Sequence, residues 1–282
     1  MSGAPGRDVR AALARDPMAV ACAATLALLV AAAIAGPWLL DYREDEIDWA
    51  HMATPPFEAP GHWLGTDRLG RDLLVRTLHG LRVSLAIAFA ATLVALVIGV
   101  AWGAFAGFRR GRTDALMMRF VDVLYALPQV FFVIILTVVF GRGPLTLLVA
   151  IGAFSWLTMA RIVRGQALAL REREFIDAAI VGGSGTARIV ARHVVPNLLG
   201  PVIVYATLTL PQVILVESFL SFLGIGIQEP LASLGNLIAD GAAELETAPW
   251  MLAVPAACLM LVVFCCNFLG DSLRDALDPR DR

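Results

Sequence analysis

The feature that most constrains this chain is a series of uncharged runs, each about as long as a bilayer is thick. Residues 18–40, 83–108, 143–160, 193–216 and 247–270 contain no charged side chain, and residues 120–141 contain only Asp122. A helix rises about 1.5 Å per residue, so roughly 20 apolar residues cross a hydrocarbon core of roughly 30 Å. Lipid offers no hydrogen bonds to a peptide group, and a helix satisfies its backbone internally. The sequence therefore predicts an all-α polytopic membrane protein with six transmembrane helices. With 59% apolar and 16% charged residues, it leaves little material for a separate soluble domain.

All 22 basic residues are arginine. A phosphate-binding P-loop needs a lysine, and so does the Schiff base of a pyridoxal or retinal protein. The chain cannot hold and hydrolyse ATP in that way, so an energy source must be another protein or an ion gradient. Arginine-rich codon use accounts for the bias, and the exclusion holds whatever its origin. The near-neutral charge of -2 gives no support to a nucleic-acid partner. Cys22, Cys258, Cys265 and Cys266 all fall in apolar runs without zinc or disulfide spacing, and the four histidines lie outside the strongest spans. No metal site, cofactor or catalytic residue is predicted.

Orientation follows from the arginines. With the N-terminus inside, 16 of the 22 fall on the cytoplasmic side, and the first and third external loops receive an excess of acidic residues. This positive-inside bias predicts both termini in the cytoplasm. The first run resembles a signal peptide up to Ala35, but it is too long for a signal h-region and continues through Trp38 to Leu40, so a retained span is expected. Trp38 and Tyr42 are expected as interface anchors. The organisation read this way is residues 1–82 as cytoplasmic N-terminus, first helix and external segment, and residues 83–282 as a five-helix core. That core contains a cytoplasmic loop at about 161–200.

Three features inside the spans draw attention. Gly99, Gly103 and Gly107 form a small-residue face that admits another helix backbone, either a subunit or a neighbour in the same chain. Glu217 lies in the outer half of the fifth span, where a charge is costly, and either lines a translocation path or pairs structurally. Asp122 and Arg119, three residues apart, are expected to pair with each other.

The long cytoplasmic loop carries a helix-turn-helix. Phe175, Ile176, Ala179 and Ile180 make one apolar face. Gly182 and Gly183 end that helix, Ser184 or Thr186 can cap a second, and Pro196 marks its end. The small residues Ala178, Ala179 and Gly183 let the element sink into a groove on a partner, with Asp177 beside them to pair with an arginine. A charged loop resting on anionic lipid is the bland alternative.

The spacing Asp177-Ala178-Ala179, three residues, Gly183, nine residues, then His193-Val194-Val195-Pro196 resembles the EAA motif of permease subunits in binding-protein-dependent ABC importers. Aspartate stands for the family's usual glutamate, and the spacing is kept. The segment from His62 to Asp72, the segment from Gly80 to Leu85, Glu217-Ser218-Phe219-Leu220-Ser221-Phe222-Leu223-Gly224, and the ending from Asn267 to Arg280 are similar to the dipeptide, oligopeptide and nickel branch. The third external loop departs, reading Glu229-Pro230-Leu231-Ala232-Ser233-Leu234-Gly235.

The resemblance implies a type I importer permease (MetI-like) in the inner membrane. It implies four kinds of partner around the chain: a second, related permease subunit, two cytoplasmic ABC ATPases, an external solute-binding protein, and lipid. Asp177, Ala178, Ala179, Gly183, Arg188 and Pro196 would couple to the ATPases, and the solute would be a peptide, a nickel or metal chelate, or another small solute. An ion-coupled secondary transporter is the rival class, but no inverted repeat is visible. A membrane enzyme lacks any catalytic motif.

Overall fold

The computed structural model describes residues 13–277. Among them, five helices are long and apolar enough to cross a bilayer, and a bent pair raises the number to six. Helix α1 (Pro17–Leu39) starts where the Asp16 side chain accepts the Met18 amide at 3.0 Å and Pro17 occupies the first turn. Its side chains are largely exposed, Leu28 and Trp38 among them, as a lipid-facing helix requires. The Tyr42 ring, in contrast, stacks on His62 with centroids 4.3 Å apart. It is part of the packing within residues 41–72 and not a free anchor.

Helix α2 (Leu73–Arg109) begins ten residues before the uncharged run, because Asp72 caps it by accepting the Val75 amide at 2.8 Å. The division drawn between residues 82 and 83 therefore falls inside a continuous helix. At 37 residues α2 is roughly 55 Å long, more than a bilayer core, so its first turns reach beyond it toward residues 41–72.

The third crossing is broken. Helices α3 (Gly111–Tyr125) and α4 (Gln129–Phe140) are inclined by 78°. Pro128 has no amide to donate and disfavours helical backbone at Leu127, so the helix stops and restarts.

Helix α5 (Pro144–Arg171) packs most extensively against α2. The glycine face of α2 makes this possible. A Cβ on Gly99 would lie 2.6 Å from Met159 Cβ, one on Gly107 would lie 2.7 Å from the Arg164 carbonyl oxygen, and one on Gly103 would overlap the Ala160 carbonyl. The small-residue face thus meets a helix of the same chain.

Beyond α5 come α6 (Glu174–Val181) and a short α7 (Thr186–Ile189), which continues through a π turn (Val190–Val194) into α8 (Val195–Phe222). Pro196 therefore ends nothing. It sits in the first turn of α8, where its missing amide is tolerated, and the wider π turn precedes it. Gly185, and neither Ser184 nor Thr186, occupies the cap position of α7, without a side-chain hydrogen bond. Helices α9 (Leu234–Ala243) and α10 (Trp250–Leu277) complete the bundle. Ser233 and Asn236 close a reciprocal capping box on α9.

Asp122 does not pair with Arg119. Its carboxylate takes a 2.7 Å bond from Arg161 on α5, whose guanidinium also lies 4.0 Å over the Tyr125 ring. A guanidinium that reaches across two helices gains a carboxylate and an aromatic face together, which a local i, i+3 partner does not offer.

The α2–α5 seam sets a direct test. Gly103→Ala should lower the thermal stability of the purified protein by about 1–3 kcal/mol through overpacking. Gly165→Ala on α5, where an added Cβ meets nothing within 4 Å, should be neutral or mildly stabilising. Equal melting curves for the two variants would remove the close approach as a packing constraint.

Candidate functional site

At one end of the bundle the helix-turn-helix is built on the α2–α5 seam. Ile176 is fully buried, and with Ile189, Val190, Val194 and Leu198 it joins Val100, Ala104 and Phe108 of α2 and Met159, Val163 and Ala167 of α5. The turn is closed by backbone hydrogen bonds from Gly182 to Ala178, from Gly183 to Ile180 and from Ser184 to Ala179. Gly183 has φ +76°, the left-handed conformation that ends a helix and that glycine adopts without strain.

Only part of the expected apolar face is used internally. Ile176 points into the chain and Ala179 is half-buried, while Phe175, Ile180 and Val181 are exposed, Val181 to 88%. Asp177, Ala178, Gly183 and Arg188 are exposed beside them. The outcome is a firmly seated element whose exposed side carries apolar and small residues with Asp177 and Arg188 beside them.

Its base is fastened by arginines that the sequence reading used only for topology. Arg164 holds Asp114 through two bonds of 2.6 and 2.7 Å, fixing α3 to α5. Arg110 donates to the Leu168 carbonyl at 3.3 Å and to Glu172 at 2.8 Å, and Arg171 lies 4.8 Å over the Phe108 ring. Such bidentate and stacked contacts hold an angle as well as a distance.

A second feature lies along the bundle. A cavity of about 350 Å³ opens where the α3–α4 break faces α5 and α8, lined on its polar side by Tyr125, Gln129, Ser155, Thr158, Thr209 and Gln212. These side chains are amides and hydroxyls, which both donate and accept, and no carboxylate or basic group stands among them. The sequence reading missed this strip because it looked for charges inside the spans. Two glutamines in otherwise apolar runs were the available signal. Glu217 does not line the cavity. It is fully buried, accepts Ser221 Oγ at 2.8 Å and lies beside the hydroxyls of Ser218, Ser84 and Ser233.

The opposite end is closed by residues 41–72 and the third loop. Arg71 Nε donates to Asp67 at 2.7 Å and its Nη2 to Glu229 at 2.9 Å. Arg76, 1% exposed, reaches the same two carboxylates. Trp250 Nε1 donates to the Thr66 carbonyl at 3.2 Å, and the Leu234 amide donates to Ser84. The departing third loop is thereby tied directly to the segment before α2.

A helical bundle with a broken third crossing, a seated hairpin and an uncharged polar strip is the architecture of an importer permease. The family model described as "Binding-protein-dependent transport system inner membrane component" matches residues 99–282, and that described as "N-terminal TM domain of oligopeptide transport permease C" matches residues 4–56. The chain belongs to this family of inner-membrane transport components, as a multi-pass, non-catalytic permease subunit of an ABC importer.

It is 51% identical over 276 residues to "Oligopeptide transport system permease protein OppC" of Escherichia coli K12, covering 98% of this chain and 91% of that one. To the protein of the same name in Haemophilus influenzae it is 47% identical, covering 98% and 89%. To "Dipeptide transport system permease protein DppC" of Bacillus subtilis it is 41% identical, covering 98% and 86%. A solved structure titled for inward-facing conformations of the MetNI methionine ABC transporter superposes with a TM-score of 0.59 at 21% identity, covering 73% of this chain and 96% of that one. That likeness shows the shared fold.

Glu229 gives this end of the bundle a pH dependence. Burial pushes its carboxyl up, but the hydrogen bond and charge of Arg71, with Arg76 behind them, outweigh this and hold it below the ordinary glutamate range. Its contribution is therefore in force above about pH 4.5 and is lost as pH falls through the depressed folded value. Melting temperatures measured between about pH 6 and pH 3 should fall less steeply for Glu229→Gln than for the parent chain. Parallel curves would exclude Glu229 as a stabilising carboxylate.

Proposed function

We propose that this chain forms one half of the translocation path of an ATP-driven oligopeptide importer, and that its hairpin is the lever gripped by a cytoplasmic ATPase. The observation that carries the reading is the seated hairpin itself. Its inner side is locked to α2 and α5 through Ile176, while Phe175, Ile180 and Val181 are exposed on the other side. Exposed apolar side chains on a rigid base fit an obligate protein contact better than a lipid headgroup layer, which favours a basic amphipathic face.

In this reading Ala178, Ala179 and Gly183 let the hairpin sit deep in the ATPase groove. Asp177 and Arg188 supply charges at its rim, and Pro196 with the π turn fixes the angle at which the hairpin enters α8. Both termini and the hairpin lie in the cytoplasm, in line with the arginine distribution. A related but distinct permease subunit covers the uncharged strip around Gln129 and Gln212, two ATPases bind below, and a binding protein delivers solute from outside.

Closure of the ATPases then displaces the hairpin, α2 and α5 as one body and switches the path between outward and inward access. Peptide cargo is favoured by the names of the relatives and by the chemistry of the strip. Amides and hydroxyls pair with peptide groups of either polarity without selecting a charged side chain. Glu217, clasped by serines away from the cavity, has a structural part.

Val181→Asp and Gly183→Trp should both leave membrane insertion and assembly with the second permease intact. Val181→Asp should prevent co-purification of the ATPases, since it puts a charge in an apolar contact. Gly183→Trp, in open space but at a left-handed backbone position, should lower peptide uptake by more than about tenfold while ATP hydrolysis continues. Normal uptake with either variant would refute the lever.

A further inference from the structure

Within residues 41–72, one group of side chains plays no part in the lever or the path. Asp48, His51 and His62 direct their ligand atoms into a common space, all within 4.8 Å of one another. His51 Nδ1 is 2.8 Å from Asp48 Oδ2, and His62 Nε2 is 3.5 Å from the same oxygen. His62 is 1% exposed, yet its Nε2 has no hydrogen bond of good geometry, the contact to Asp48 Oδ2 being long at 3.5 Å. A buried ring nitrogen left in this way is uncommon and calls for a partner.

The rest of His62 is held as a ligand would be. Its Nδ1 lies 2.8 Å from Asp72 Oδ2, and Asp72 is itself buried and fixed by the Val75 amide it caps. An Nδ1–H donated to that carboxylate leaves the lone pair of Nε2 facing Asp48. This is the carboxylate–histidine pairing that orients and strengthens metal-bound imidazoles. Tyr42 stacked on the ring fixes its plane.

The backbone around the group is also fixed. The Asp48 amide donates to the Gly70 carbonyl, and Thr66 Oγ1 donates to the His51 carbonyl. Asp48 and His51 retain partial exposure, so an ion can enter and a water can complete its shell.

We propose that Asp48, His51 and His62 bind a divalent transition-metal ion of the zinc class, with Asp72 as the outer carboxylate that orients His62. Two imidazole nitrogens and one carboxylate oxygen suit Zn²⁺ or Co²⁺, whereas Ca²⁺ and Mg²⁺ take oxygen shells. Ligands at about 2.0–2.1 Å around a tetrahedral ion stand about 3.4 Å apart, which the Asp48–His62 spacing meets. The Asp48–His51 spacing, 2.8 Å, opens by about 0.6 Å through the partly exposed His51. The ion joins the 48–51 turn to His62 and, through Asp72, to the first turn of α2. It acts as a clamp on the outer cap, whatever solute the transporter carries.

The assembled transporter in nanodiscs, stripped with chelator, is titrated with Zn²⁺ and separately with Co²⁺. One saturable equivalent per chain is expected, with a tetrahedral Co²⁺ absorption band and a rise in melting temperature on Zn²⁺ addition. His51→Ala removes a solvent-facing ligand, and Asp48→Asn keeps the hydrogen bond to the Ala50 amide. Each should weaken binding by at least about tenfold and abolish the melting shift. Absence of saturable binding, as for an imidazolium simply bridging Asp48 and Asp72, would overturn the proposal. So would affinity unchanged in both variants, which would place the ion elsewhere, for example on the cysteines of α1 and α10.

Discussion

The backbone contact between α2 and α5 is the constraint on which most of this structure depends. Where Gly99, Gly103 and Gly107 present no side chain, α5 comes close enough for its carbonyls to touch the glycine face. In lipid no hydrophobic force drives one apolar helix onto another, so close van der Waals approach is the main source of such association. The residues flanking that seam, Val100, Ala104 and Phe108 on one helix and Met159, Val163 and Ala167 on the other, form the bed for Ile176 and Ile189. The proposed lever needs a seat that does not slip, and the hairpin and these two helices form one packed cluster. Arg161–Asp122 and Arg164–Asp114 then fix α3 to α5, and Arg110–Glu172 ties the α2–α3 corner to the end of α5.

The two ends of the bundle are held by different physics. The hairpin end is apolar and tightly packed, whereas the cap end rests on Asp67 and Glu229 shared between Arg71 and Arg76. Buried ionic networks add little net stability, because desolvation offsets most of the Coulomb attraction, but breaking one partner is costly. Their value is in specifying one arrangement. The third loop departs from the related pattern in composition, yet it supplies Glu229 to this network and Ser233 to the cap of α9. Its position is set by these side chains even where its local sequence is unusual.

Much of this was legible in the sequence wherever the signal is local. The spans follow from uncharged length, the hairpin from Gly182, Gly183 and the spacing of the motif, and the glycine face from its four-residue period. What that face meets was not legible, because a small-residue face looks the same to a partner subunit and to α5. Arg119 was the obvious neighbour for Asp122, but sequence adjacency carries no information on Arg161, nearly forty positions away and competing with an aromatic contact. Pro196 reads as a terminator unless the π turn before it is known. Asp48, His51 and His62 have no ligand spacing along the chain and converge only once the loop closes over Tyr42. Gln129 and Gln212 carry no charge, so a search for intramembrane charges passed over them.

Helix α2 links these parts into one mechanical object. Its first turn is capped by Asp72, and Arg76 one turn later enters the buried ion network. Its middle lies against α5, and its last turns support the hairpin through Ala104 and Phe108. A helix bends little along its axis, since every turn is tied to the next by backbone hydrogen bonds, and α2 has no proline to weaken it. In the proposed lever, a displacement of the hairpin would be passed along α2 toward Arg76 at its other end. Helix α8 differs, with Pro201 and Pro211 freeing carbonyls along its length and a π turn at its start. Helices α2 and α8 both touch the hairpin cluster, but only α8 lines the uncharged cavity, through Thr209 and Gln212. In the proposed cycle a stiff α2 moves with the hairpin as one body, while the more compliant α8 lets the cavity beside it change shape.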